Sequence, residues 1–105
     1  IIGLTANQNY GFHIHEFGDT RQNCGNTGGH WNPDGTNHGA FDADERHAGD
    51  IKMVMAGANV SSGTDYDYTD DIATLFGLNS IAGRALVLHE NEDDLGLGGD
   101  AESLL

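Results

Sequence analysis

The six histidines of this 105-residue chain and the carboxylates near them form the most informative pattern in the sequence. His13 and His15 are separated by one residue, so on an extended strand both side chains project from one face and can reach one ion. Imidazole nitrogen is a good ligand for copper and zinc, and a carboxylate added to histidines suits zinc. The candidate ligands are His13, His15, His30, His38, His47, Asp50 and His89, with Asp93 nearby. We therefore predict a protein organised around metal ions.

Four short strands are predicted to position these residues, at 10–16, 50–56, 64–71 and 85–89. In the first strand, Tyr10, Phe12 and Ile14 are expected on one face and the histidines on the other. Residues 17–49 show no lasting periodicity and are predicted to form a long functional loop that metal would order. A second loop, acidic and rich in glycine, follows Glu90.

Composition favours one small all-β domain rich in loops, because 16 glycines and a single proline accompany a hydrophobic share of 37 %. Seventeen acidic and four basic residues give a formal net charge of −13. A chain with this charge is repelled by nucleic acid and by anionic membranes, so neither is expected as a partner.

The cysteine content and one sequence triplet bear on the compartment. Cys24 is the only cysteine, so no disulfide can form within the chain. Asn59-Val60-Ser61 is an N-glycosylation sequon, which favours an extracellular location, with the cytoplasm as the alternative.

Several separate motifs, in order along the chain, resemble the copper/zinc superoxide dismutases. Residues 11–19 (GFHIHEFGD) resemble the copper-binding strand of that family, and residues 29–33 (GHWNP) resemble the segment that carries its bridging histidine. His38-Gly39 and residues 45–50 (ERHAGD) resemble its zinc loop. Residues 83–90 (GRALVLHE) and 93–96 (DDLG) resemble its last copper ligand and the start of its electrostatic loop. The resemblance extends from about Gly3 to Ser103.

The resemblance implies a metal site residue by residue. Copper would be bound by His13, His15, His30 and His89, and zinc by His30, His38, His47 and Asp50. His30 would bridge the two metals as the catalytic residue. Asp93 would hydrogen-bond to His13 and His38, and such outer partners fix the orientation of an imidazole. Arg46 and Asp70 would form a structural ion pair, and Cys24 would be the family's disulfide cysteine.

The chain also departs from the family pattern. Most of the strands that precede the copper strand have no counterpart here, since Gly3–Thr5 matches only their end, and the last strand has none. We therefore expect a partial domain over residues 1–105, an incomplete Greek-key β-barrel or sandwich. The family's second cysteine and copper-side arginine belong to that last strand. The electrostatic loop has no lysine, because the matching positions hold Asn91 and Leu97. It carries acidic residues instead, namely Glu92, Asp93, Asp94, Asp100 and Glu102.

Two functions remain open from the sequence. The first is dismutation of superoxide at a copper/zinc centre, by a chain that forms a homodimer or a larger self-assembly. The alternative is a secreted metal-binding or self-assembling protein of the same fold without enzyme activity, which the net charge and the acidic loop favour. A copper-chaperone relative fits less well, because such domains commonly lose ligands.

Overall fold

The structure is a computed structural model and describes residues 1–96. Its strands are β1 (Asn9–Tyr10), β2 (Phe12–His15), β3 (Val54–Met55) and β4 (Ala85–Leu88), and Gly25–Thr27 form a 3-10 helix. The predicted all-β class is confirmed. No helix in the described part is long and apolar enough to cross a membrane. Leu97, Asp100, Glu102 and Ser103, named in the sequence analysis, lie outside the described residues.

Two antiparallel pairs of strands place the histidines. In one pair, β1 lies beside β3, with Tyr10 opposite Val54. In the other, β2 lies beside β4, with His13 opposite Val87 and His15 opposite Ala85. Within residues 1–96 the two pairs are separate two-stranded sheets. The β2–β4 pair brings the His13-X-His15 motif next to the strand that leads to His89.

The apolar core is small and lies beside the metal-ligand candidates. Tyr10, Val54 and Ala56 are buried at its centre. Partly buried residues pack against them, namely Leu4, Phe12, Val60, Tyr66 and Leu88. Ile14 is also buried, and so are His13 and His15 on the opposite face of β2. The strand is therefore covered on both faces, with apolar residues on one side and histidines on the other.

The strand predicted at residues 64–71 does not form. Its backbone joins no ladder in the described part of the chain, and its tyrosines use their side chains instead. Tyr66 donates its hydroxyl to the Lys52 carbonyl and packs edge-on against Phe12, with ring centroids 5.2 Å apart. Tyrosine and aspartate alternate in this segment, and Asp65 and Asp67 are exposed. Side-chain packing thus preserves the two-faced pattern without strand pairing.

The strand predicted at residues 50–56 is shorter than expected. Only Val54 and Met55 pair with β1, and Asp50 makes an isolated bridge to His13. The predicted loop at 17–49 is irregular apart from the 3-10 turn at Gly25–Thr27.

A closed cycle of three backbone hydrogen bonds joins β2 to this loop, and we call it the backbone ring. Ile14 donates its N–H to the Gly49 carbonyl at 3.0 Å, and Gly49 donates to Trp31 at 2.9 Å. Trp31 in turn donates to Ile14 at 2.7 Å. These residues neighbour His13, His15, His30 and Asp50 in sequence. The ring therefore fixes three ligand-bearing segments relative to one another.

Gly49→Ala is expected to lower the free energy of unfolding by about 3–5 kcal/mol, because it breaks the backbone ring. A Cβ at this position would lie 2.2 Å from the Ile14 carbonyl oxygen and 3.0 Å from the Trp31 nitrogen. Gly57→Ala is the matched control, since its Cβ would meet nothing within 4 Å. Urea unfolding followed by tryptophan fluorescence measures both variants, and equal stabilities would contradict the expectation.

Candidate metal centre

All six histidines lie in one cluster built from β2, the long loop and the end of β4. His13, His15 and His30 are buried, and His89 is half-buried. Their rings are neighbours; His13 stacks on His30 with centroids 3.9 Å apart, and His15 and His89 are 5.5 Å apart. Buried polar groups need partners, so a cluster of buried imidazole rings indicates a bound ligand.

The first donor set contains His13, His15, His30 and His89, and their ligand atoms lie within 4.8 Å of one another. His15 donates its Nδ1–H to the Gly28 carbonyl at 2.8 Å, which leaves Nε2 free, 3.4 Å from His89 Nε2. His13 Nδ1 and His30 Nε2 are buried and make no hydrogen bond among the described residues. These unpaired nitrogens fit a metal ion that three or four imidazoles would bind together.

The second donor set centres on Asp50, which is 1 % exposed. Its Oδ1 lies 3.0 Å from His30 Nδ1, 2.9 Å from His38 Nδ1 and 3.4 Å from His47 Nδ1. Four ligands about 2.0–2.1 Å from a tetrahedral ion are about 3.3 Å from one another. The 2.9 Å approach of His38 to Asp50 is not directed as a hydrogen bond, which suits two ligands of one ion better than a donor and acceptor.

Distance alone groups some residues differently from the predicted zinc set. His13 joins His30, His38 and Asp50 within 4.8 Å. His47 approaches through Nδ1, which lies 3.3 Å from His30 Nδ1. Because Asp93 already accepts from His13 Nε2, His13 has one nitrogen left and can serve only one ion. His13 Nδ1 thus belongs by distance to both groups, and His47 Nδ1, 3.4 Å from Asp50 Oδ1, is the other candidate for the second.

His30 is the only histidine with one ring nitrogen in each set. Its Nδ1 faces Asp50 at 3.0 Å, and its Nε2 is the unpaired nitrogen of the first set. Neither Arg nor Lys could replace it, because neither offers a lone pair on both sides.

Asp93 connects the two sets by hydrogen bonds to one histidine of each. It accepts from His13 Nε2 through Oδ2 and from His38 Nε2 through Oδ1, each at 2.7 Å. The Leu95 amide donates to the same carboxylate at 3.0 Å. Burial opposes the charged form of Asp93, but these hydrogen bonds outweigh it and hold the pKa well below its usual range. The ionised carboxylate therefore fixes both imidazoles with their other nitrogens toward the metal sets.

Arg46 ties the second set to a neighbouring segment. It is buried, and its guanidinium donates to the Asp50 carbonyl at 2.5 Å and to Asp70 Oδ1 at 2.7 Å. Tyr68 donates its hydroxyl to the other oxygen of Asp70. The ion pair thus anchors the segment that carries Asp50.

Cys24 is an exposed free thiol at a left-handed backbone position. With Gly28, Val87 and His89 it lines an open cavity of about 390 Å³.

Burial and nearby carboxylates shift the pKa values of three of the clustered histidines. Burial, reinforced by the neighbouring histidines, lowers the pKa of His30 and of His89 to about 4, so both are neutral at pH 7. Burial would also lower the pKa of His38, but its contacts with Asp50 and Asp93 outweigh this and raise it to about 10. Metal binding at His38 would therefore release a proton.

The free energy of unfolding of the metal-free chain is expected to peak near pH 6.5. Below this pH the unfolded chain protonates His30 and His89, whereas the folded chain does so only near pH 4, so stability falls as pH falls from 6.5 to 4. Above it the folded chain keeps the His38 proton up to about pH 10, so stability falls as pH rises. Urea unfolding in chelator across pH 4–10 measures this, and a flat profile would contradict it.

Comparison with known proteins agrees with this geometry. The family model described as copper/zinc superoxide dismutase (SODC) matches residues 1–103. The chain belongs to the copper/zinc superoxide dismutase family. It is 48 % identical over 105 residues to superoxide dismutase [Cu-Zn] of Kluyveromyces lactis, covering 99 % of this chain and 66 % of that protein. It is 45 % identical over 104 residues to the protein of that name from Paramecium bursaria Chlorella virus 1, covering 99 % and 54 %.

A solved structure, described as a crystal structure analysis of the clock protein EA4, has the same fold with a TM-score of 0.84. It is 38 % identical and is matched over 98 % of this chain and 64 % of its own. The chain thus spans about half to two thirds of the length of these relatives. Copper and zinc are the metals of the family, and the two donor sets fit them.

Sequence reasoning missed three contacts that shape the site. Thr27 Oγ1 lies 3.3 Å from His15 Nδ1, beside the Gly28 carbonyl that orients that ring. The backbone ring leaves no signal beyond the glycine at position 49. Arg84 stacks on Trp31, with its Cζ 3.2 Å from the ring centroid, and these two residues are separated by more than fifty positions.

Proposed function

We propose that this chain forms the metal-binding part of a superoxide dismutase, which converts two superoxide ions and two protons into oxygen and hydrogen peroxide. The observation that carries the proposal is the placement of His30, whose two ring nitrogens face two different donor sets. A histidine placed in this way can couple a redox metal to a second, structural metal. Family membership supports the same reaction.

In this proposal His13, His15, His30 and His89 hold copper, while His30, His38, His47 and Asp50 hold zinc. Bound copper would supply one-electron oxidation and reduction, and bound zinc would supply the positive charge that sets the basicity of His30. His30 would hold a proton at Nε2 in one half of the cycle and give it to the reduced product in the other. Asp93, Arg46 and Asp70 keep the ligands oriented.

An open cavity lies beside one histidine of the first set. His89 borders the cavity of about 390 Å³ that it shares with Cys24 and Gly28. Glu90 and Glu92 are exposed in the acidic segment that follows His89, and no lysine lies in the described part of that segment. An anion would meet a repulsive field at long range, so its capture is expected to depend on screening.

The dismutation rate of the metal-loaded protein is expected to rise with ionic strength, because salt screens the repulsion between superoxide and a chain of net charge −13. Fields of this kind change association rates by about 10–1,000-fold. Measuring the rate between about 10 and 150 mM salt spans Debye lengths of about 30 to 8 Å. A rate that falls with salt would instead indicate a local attractive field around the cavity.

The deciding experiment measures metal content and dismutation rate together, on the longest native chain that contains these residues. Copper and zinc near one ion each, with a dismutation rate that persists when a chelator removes free copper and that the metal-free chain lacks, would support the enzyme. Bound metal with negligible dismutation would overturn it in favour of the second candidate function.

That second candidate is a secreted metal-binding or self-assembling protein without enzyme activity. The acidic charge favours it, and so does the sequon, where Asn59 and Ser61 are exposed and Asn59 Oδ1 accepts from the Ser61 amide at 3.1 Å. We propose an extracellular location because of the sequon and the acidic charge.

Self-association, as a homodimer or larger assembly, is supported by the exposed apolar side chains of Leu75, Phe76 and Leu78. Sedimentation of the metal-loaded protein and glycan analysis at Asn59 test these proposals.

A further inference from the structure

Arg84 contacts two segments that carry candidate copper ligands and itself begins a third, although it lies outside both donor sets. Its guanidinium stacks on the Trp31 indole, with Cζ 3.2 Å from the ring centroid. Its Nη1 donates to the Glu16 carbonyl at 2.7 Å, and its Nε donates to the Ser80 carbonyl at 3.0 Å. Glu16 directly follows His15, and Trp31 directly follows His30. One side chain therefore holds the residues next to two candidate ligands.

The position of Arg84 in the chain adds the third segment. It immediately precedes β4, whose first residue, Ala85, lies opposite His15 in the β2–β4 ladder. The same strand leads on to His89. A shift of Arg84 would therefore act on β2 and β4 together, at the register position of His15.

The Trp31 ring contacts Arg84 through its face and is not oriented by a hydrogen bond to any described residue. Its Nε1–H is buried and finds no acceptor among the described residues, so no hydrogen bond fixes the indole. A guanidinium above the face of a tryptophan is attracted by the ring's electron density and stacks flat on it. The Trp31 backbone, in turn, belongs to the backbone ring that adjoins β2.

We propose that Arg84 is a positioning residue for the copper set, acting through Glu16 and Trp31 on His15 and His30. The inference rests on the proposed metal centre and names a residue outside the ligand set. The zinc set is coupled less directly, because Arg84 reaches Asp50 only through the ring of Ile14, Trp31 and Gly49.

The test compares metal binding by Arg84→Gln with that of the unchanged chain, on the longest native chain containing residues 1–105. We expect the copper(II) affinity of the first set to fall about 10–100-fold, as for other outer partners of metal ligands. The copper(II) electron paramagnetic resonance spectrum should also change, because the imidazoles reorient. Cobalt(II) absorption, as a probe of the zinc set, should change much less. Arg21→Gln is the matched control, since the exposed Arg21 side chain pairs with Asp19 alone among the described residues.

A second pair of variants keeps the test valid if Arg84→Gln does not fold. Trp31→Phe retains an aromatic face for the stack and should keep copper affinity near that of the unchanged chain. Trp31→Leu removes the face and should lower the affinity as Arg84→Gln does. Lys at position 84 is not conservative, because an ammonium cannot stack and donate to two fixed carbonyls.

The outcomes separate this inference from the proposed function. Folded Arg84→Gln with unchanged copper affinity and spectrum, and only a lower melting temperature, would overturn the inference and leave Arg84 a purely structural residue. Equal affinities for Trp31→Phe and Trp31→Leu would overturn it too. An unchanged chain that binds neither copper nor cobalt would instead overturn the proposed metal centre, and this inference with it.

Discussion

Asp50→Ala is expected to reduce zinc affinity by more than about 100-fold, which exceeds the 10–100-fold cost of losing an outer partner. The carboxylate does two jobs at once. Its Oδ1 lies within 3.4 Å of the Nδ1 atoms of His30, His38 and His47, where a tetrahedral ion would complete the set. Its Oδ2 accepts from the backbone amides of His47 at 2.7 Å and Gly39 at 3.1 Å. Removing it takes away a ligand and leaves two amides without their acceptor.

Stability should fall along with affinity. Each buried amide without an acceptor costs about 1–3 kcal/mol, so the free energy of unfolding of the metal-free Asp50→Ala chain should drop by about 2–6 kcal/mol. Asp50→Asn separates the two effects, because the amide oxygen can still accept from the backbone while the negative charge is lost. Asp42→Ala, on an exposed acid of the same loop, is the matched control. Zinc titration against a competing chelator measures affinity, and wild-type zinc binding by Asp50→Ala would refute the assignment.

His30→Ala is expected to lower the dismutation rate about 100- to 10,000-fold, the range over which a positioned proton donor contributes. It should also uncouple the two metals. In the unchanged chain, filling one set should alter affinity at the other by about 5- to 150-fold, because both share one imidazole. Without His30 each set keeps three donors and the coupling should disappear.

Copper titrations with and without prior zinc measure that coupling, and they do not depend on turnover. His30→Gly in the presence of added imidazole gives a second check, because a small imidazole could enter the vacated position and restore part of the rate. If His30→Ala retained both the coupling and the rate, His30 would not be the shared ligand.

The parts of this site that the sequence could predict are local. The His13-X-His15 spacing requires only that β2 be extended, and β2 is extended over Phe12–His15. β4 was predicted from an apolar run, and the ladder at Ala85–Leu88 agrees with it. The pairing of His13 with Asp93, eighty residues apart, could be inferred only from the family resemblance, since no local pattern relates them.

The parts that could not be predicted are those in which side chains replace backbone pairing. The alternating tyrosines and aspartates of residues 64–71 have the period of a strand, yet Tyr66 and Tyr68 secure the segment through their hydroxyls. The stack of Arg84 on Trp31 joins two positions that no local sequence pattern relates. Sequence periodicity indicates which face of a segment is buried, but it does not identify the residues that pack against that face.

The backbone ring has a consequence for how the long loop tolerates change in length. By joining Ile14, Trp31 and Gly49 at one point, it divides the loop into two lobes of similar length, residues 15–30 and 32–48. Each lobe is closed separately, and the entropy of closure grows only with the logarithm of lobe length, so doubling one lobe costs about 0.6 kcal/mol. Insertions at the exposed lobe tips, near Gln22 or Gly35, should therefore leave the ligands in place, whereas a single residue added between His47 and Asp50 would displace both.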